Sequence, residues 1–301
     1  RLRKVFVKEF LQAGQIAAEL LLAVVIDDQP HEERSDGFER NYGLAFNQDG
    51  DPAIYWKSAF YQFLHINPTM ALNTLIQLVD FCTKRWCEGV AKKSKEVPPH
   101  ITIALADGAA KNLFGNGHVY VWSYERRMHM GHMTAALHAL ERWLWERCEA
   151  GQDITATIDT ILQMATSVAV LPALINVAKA HPKQFAGRLQ QFLAIPELHF
   201  WDYQERQALP FRFDAYSWWR SGEELFQFAR HWLQAPSRNH SLGEFALEQQ
   251  RADAAFAATM RSSLQAWLAA NPDVGDRERV FLAALDSANY TQNSDGTYQF
   301  V

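Results

Sequence analysis

Apolar residues recur every three or four positions along most of the chain, the spacing of helices that bury one face. Asn67-Pro68 offers an N-cap with proline at the first helical position, and Leu72, Leu75, Ile76, Val79 and Trp86 follow at helical intervals. Met133, Leu137, Leu140 and Leu144 form a second stripe, with Glu141, Arg142, Glu146 and Glu149 placed mostly outside. Ile154, Ile158, Ile161 and Leu162 make a third stripe, and Phe185, Leu189, Phe192 and Leu193 a short fourth. From Val168 to Ala178 the chain is apolar nearly all round, which predicts a helix covered on several sides. Short connections between such helices make antiparallel neighbours. Ser221-Gly222-Glu223-Glu224 and Ser241-Leu242-Gly243-Glu244 both read as capping boxes. The second opens a helix expected to run to Ala270.

Two stretches break the helical period. His100 to Leu105 and His118 to Trp122 alternate at period two around Asp107-Gly108 and Gly115-Asn116-Gly117. This predicts a β-hairpin inserted among helices, within residues 97–124. Tyr290 to Val301, around Asp295-Gly296, reads as a second hairpin completed by sequence beyond Val301. Residues 27–50 and 91–99 read as exposed loops, the first long enough to be functional or mobile. Helix junctions at Asn67-Pro68, His181-Pro182 and Asn271-Pro272 resemble one another without a fixed period, which suggests a helical-repeat, solenoid-like array. The fold class is therefore mainly all-α, one helical region over residues 1–301 carrying the hairpin near 100–122.

Composition narrows the function classes. The 301 residues are 48% hydrophobic and 21% charged, which excludes wholesale disorder. A net charge of −5 argues against binding a phosphate backbone through global charge. The apolar run Ile16–Ile26 falls short of the roughly 20 residues of a membrane span and reads as a buried helix. Cys82, Cys87 and Cys148 form no CxxC pair and leave an odd thiol, which favours a reducing cytoplasm. The chain opens on Arg1-Leu2-Arg3-Lys4 rather than Met and ends within a strand pattern, so a piece of a longer polypeptide is expected.

Catalytic chemistry is thinly signalled. Glu125, His129 and His132 stand at i, i+4 and i+7, a ligand spacing interrupted by Gly131 and lacking the HExxH form, so a structural or solvent role is the expectation. His138 and Glu141 stand at i, i+3, the spacing of bundle di-metal sites, without a second Glu-x-x-His to complete one. Gly108 to Gly117 contains Lys111 but fits neither phosphate-loop pattern, so its glycines read as turn residues. No G-x-S-x-G elbow occurs. No catalytic, cofactor-binding or metal-ligating residue is assigned. The richest feature is aromatic: from Phe200 to Trp232, eleven of thirty-three residues are Phe, Trp or Tyr, interleaved with Arg206, Arg212, Arg220 and Arg230. Such residues fill a core with arginines stacked on ring faces, anchor a protein partner, or stack on single-stranded bases. The candidate interaction surface is Trp201, Arg206, Arg212, Tyr216, Trp218, Trp219 and Arg220.

Several motifs, in order, carry a family resemblance. They are Trp56 to Leu64 leading to Asn67-Pro68, Asp107-Gly108, Phe114 to Gly117, Val121 to Tyr124, Ala136 to Leu144, Thr166 to Val170, His181-Pro182, Leu285-Asp286 and Asn289-Tyr290. Together they resemble the helical region C-terminal to the P-loop ATPase domain of large bacterial STAND-like NTPases of antiviral defence. The resemblance implies a sensor or interaction scaffold, cytoplasmic and off the membrane, that binds a protein partner or itself. ATP would belong to an upstream module, since no Walker motif lies in this chain. The alternatives are a nucleic-acid-binding helical solenoid and an enzyme whose site is assembled only in space.

Overall fold

The computed structural model describes residues 14–26, 42–45, 53–94, 97–124, 131–185, 188–216 and 223–301. They form a mainly helical structure with two small antiparallel hairpins. At its centre, α2 (Ala59–Ile66) and α3 (Pro68–Ser94) pack with α5 (Gly131–Glu149), which in turn packs on α7 (Leu171–Ala180). α1 (Gly14–Val25) and α6 (Thr155–Met164) both lie on α3. The run expected to be buried on several sides is so: every residue from Val168 to Lys179 is buried, first as a 3₁₀ turn and then as α7. α1 corrects the expectation of a buried helix. Ala17, Ala18, Leu21 and Val25 face inward, whereas Ile16, Leu20 and Val24 face solvent.

The first hairpin pairs β1 (His100–Ala104) with β2 (Ala110–Phe114), residue 100 opposite 114 and 104 opposite 110. Ile101 and Ile103 point into the core and their neighbours outward. The second strand thus lies upstream of the expected His118–Trp122. Gly115, at φ 134°, ends β2, and the Asn116 side chain accepts the His118 N–H to cap α4 (Gly117–Tyr120), followed by the 3₁₀ turn Val121–Ser123. Five alternating residues mimicked a strand because Val119 through Tyr124 are all buried, so burial carried no periodicity to read. A bridge from Phe114 to Ser167 ties the hairpin to the 3₁₀ turn before α7.

The C-terminal half holds α8 (Arg188–Leu193), α9 (Pro196–Tyr216), α10 (Glu224–Leu233), α11 (Pro236–Asn239), α12 (Leu242–Ala252), α13 (Ala254–Ala270) and α14 (Asp276–Ala283). The expected long helix is broken at Asp253, whose carboxylate accepts the N–H groups of Ala255 and Phe256 and starts α13 afresh. Ser241 and Glu244 form the expected capping box. The other expected box does not start α10, whose N-cap is Glu223; Ser221 lies outside the described residues. The expected terminal hairpin closes within the chain, as β3 (Tyr290–Gln292) and β4 (Tyr298–Phe300). Of the two expected loops, 27–41 and 46–52 lie outside the described residues, while the Ile26–Leu44 bridge pins the stretch between them. The 91–99 loop starts late, since α3 continues to Ser94.

Candidate functional site

The aromatic segment begins on α9 and its rings divide between two environments. The Trp201 ring is half-buried, 5.7 Å from the Tyr120 ring, and lies so close to Gly117 that a Cβ there would stand 2.9 Å from its Cδ1. Arg206 is also half-buried and donates to the Asn239 carbonyl. Both are engaged within the chain. Arg212 and Tyr216 belong to the last turns of α9 and their side chains lie outside the described residues, as do Trp218, Trp219 and Arg220 entirely. Trp232 on α10 is buried against Tyr55 and His138.

Another face of α9 meets α13 and α14 and is partly exposed. Tyr203 is 50% exposed and its ring meets Phe281 of α14 at 5.3 Å. Phe281 stacks on Phe200 at 4.9 Å, and Phe200 meets Trp267 of α13 at 5.5 Å. The Trp267 indole N–H donates to Glu197 Oε1 at 2.7 Å, which fixes that ring. Val280, the residue before Phe281 on α14, is 61% exposed. Sequence reading reached Phe200 and Tyr203 as part of the aromatic segment but had no signal for Trp267, Val280 or Phe281, which stand more than sixty positions away.

Beneath α9 lies a buried network of charges. Glu141 is not outside α5 as the stripe predicted; it is 1% exposed, and its carboxylate takes two hydrogen bonds from Arg238, at 3.0 and 2.6 Å, with Asn176 donating at 3.3 Å. Lys179 donates to the His240 carbonyl at 2.8 Å and stands 3.9 Å from Asp202, which accepts the Leu242 N–H at 3.0 Å. Burial raises Glu141, Tyr120 and Tyr124 above their ordinary values and lowers Lys179. His138 is pushed well below its usual range by burial and by Arg238, so its ring is neutral; it bonds the Ser123 carbonyl at 2.8 Å. The His138/Glu141 spacing therefore serves packing and an ion pair.

A second cluster joins α2 to α5 near the surface. Glu146 accepts from Tyr61 at 2.7 Å and Arg142 at 2.8 Å, and stands 3.0 Å from His65 Nε2. Burial and this carboxylate push the Tyr61 phenol up to about 12. A carboxylate that orients a half-exposed imidazole is one part of an acid–base site, but here its remaining partners are Tyr61, which ties α2 to α5, and Arg142, one turn earlier on α5 itself. Burial raises all three thiols, Cys148 up to about 11; Cys82 and Cys148 are buried, while Cys87 is half-buried. Of the candidate metal triad, Glu125 and His129 lie outside the described residues. Among the described residues, no group of three His, Cys, Asp or Glu side chains is placed to hold a metal ion, and no helix is long and apolar enough to cross a membrane. No protein-family model matches the sequence, and no curated protein matches it with significance.

Proposed function

We propose that this chain is a non-catalytic, helical protein-interaction scaffold, the partner-sensing array of a larger ATP-dependent bacterial protein of antiviral-defence type. The observation that carries the interaction reading is exposed Tyr203 and Val280 beside the partly buried ring cluster of Phe200, Trp267 and Phe281. An exposed aromatic ring held in place by its neighbours is a usual anchor of protein interfaces. The association with an ATPase module rests on the motif resemblance alone, and the repeat-like ordering of the helices on their similar junctions. A cytoplasmic location rests on the three unpaired cysteines.

The nucleic-acid reading has less support: of the arginines interleaved with the rings, Arg206 is spent on the Asn239 carbonyl, which leaves Arg230 as the one with an exposed side chain among the described residues. A photo-crosslinking residue at position 203 tests the interaction reading in cells, with exposed Gln152 as the control position. A discrete adduct at 203 that is absent at 152, and is lost on Val280→Glu, is the expected result. Identical patterns at both positions would refute it.

A further inference from the structure

α10 lies on the surface with one face down. Phe226, Ala229, Trp232 and Leu233 are buried, while Gln227, Arg230, His231 and Gln234 face solvent. Beneath it the Trp232 ring meets Tyr55 at 5.2 Å and His138 at 6.0 Å, and Phe228 meets Tyr55 at 5.8 Å and Trp56 at 6.2 Å. α11 follows and delivers Arg238, 2% exposed, to Glu141, with its guanidinium 5.2 Å from the Trp232 ring and 5.6 Å from the Tyr124 ring. The next residues are clamped at their backbone: Arg206 holds the Asn239 carbonyl, Lys179 the His240 carbonyl, and Asp202 the Leu242 N–H.

We propose that residues 224–238, α10 and α11 as far as Arg238, form a displaceable strap seated in a helix-binding groove lined by Tyr55, Trp56, Tyr124 and His138, with the Glu141–Arg238 pair as its latch and residues 239–242 as its fixed hinge. The groove recognises an amphipathic helix with aromatic residues four positions apart, here Phe228 and Trp232, followed by an arginine six positions on. The latch suits this role because two buried charges gain little in net stability from their pairing, yet either one alone in the interior is strongly unfavourable. Seating is therefore specific in register and conditional on both partners. The side chains that clamp 239–242 (Arg206, Lys179 and Asp202) lie outside the strap, although Lys179 also feels the charges of Glu141 and Arg238. The α12 cap is made by Ser241 and Glu244, so the strap can lift while α12 stays capped. This inference is independent of the Tyr203–Phe281 face.

The test uses the full chain and a fluorescein-labelled peptide of residues 223–241. In Arg238→Met, hydrogen exchange of amides 224–238 should quicken at least tenfold while those of α5 keep wild-type rates. Phe228→Ala, which touches only the ring contacts, should quicken the same amides and no others. The peptide should bind Arg238→Met and not the wild type, and a peptide carrying Arg238→Ala should bind at least tenfold more weakly. The double variant Glu141→Leu/Arg238→Met, with an apolar pair in place of the charges, should stay seated and exclude the peptide. Exchange that quickens uniformly across the chain, or loss of the cooperative fold in Arg238→Met, would make the pair an ordinary core contact and overturn the proposal. So would a peptide that fails to bind once the strap amides exchange freely.

Discussion

Gly115→Ala places a methyl group where the end of the hairpin meets two elements at once. The residue sits at φ 134°, and its Cβ would lie 2.4 Å from Val168 Cγ2, 2.8 Å from Val119 Cβ and 3.0 Å from Val119 Cγ1. Gly108, in the hairpin turn at φ 83°, is the natural control, because nothing lies within 4 Å of its Cβ position. Holding an alanine at either backbone conformation costs about 1–3 kcal/mol. Only Gly115 adds overpacking, about 1–3 kcal/mol more. The expected losses are then about 2–6 kcal/mol for Gly115→Ala and about 1–3 kcal/mol for Gly108→Ala, out of a total near 5–15 kcal/mol for a folded domain. Urea unfolding followed by circular dichroism reads both, with equal denaturant slopes expected. Adding Val168→Ala to Gly115→Ala should recover part of the loss by opening space for the new methyl. A Gly108→Ala loss equal to or above that of Gly115→Ala would refute the steric argument.

Three further outcomes follow from single residues. Ser241→Ala removes one half of the α12 capping box and should cost about 1 kcal/mol in the same assay, with faster amide exchange confined to the first turn of α12. The Phe256 N–H and the Gln190 side chain hold the Asp253 carboxyl below its usual value. Its contribution is therefore complete above the unfolded value of about 3.9 and is lost as pH falls through the lower folded value. Asp253→Asn should flatten that acid limb of the urea midpoint, and an unchanged limb would count against the cap. A disulfide reagent at pH 8 should modify Cys82 and Cys148 slowly in the native chain and all three cysteines at once in denaturant; three fast equivalents in the native state would contradict their burial.

Local patterns were legible where one rule acted alone. The Asn67-Pro68 junction ends α2 and opens α3, the Ser241 capping box forms, and the all-round apolar run becomes the fully buried α7. They misled where two local rules competed. The helix expected from Ser241 to Ala270 contains Asp253, whose short side chain satisfies two orphan amides and divides it. The alternation at 118–122 was cut across by the cap that Asn116 supplies after Gly115. Glu141 was assigned to the solvent face by its charge, but the residue that neutralises it stands ninety-seven positions away.

The sequence by itself determined a mainly helical chain, its principal caps, the presence of two hairpins and an unusual density of rings between 200 and 232. Helix periodicity and capping are properties of neighbouring residues, so a linear reading can recover them. Which rings are buried, which face solvent, and which carboxylate meets which guanidinium are decided by elements far apart in the chain. Trp201 and Trp232 turn inward because Tyr120 and Tyr55 wait there, and Tyr203 stays at the surface, where its tilted ring meets Phe281 of α14. Only tertiary packing, which brings such distant residues into contact, could make those assignments.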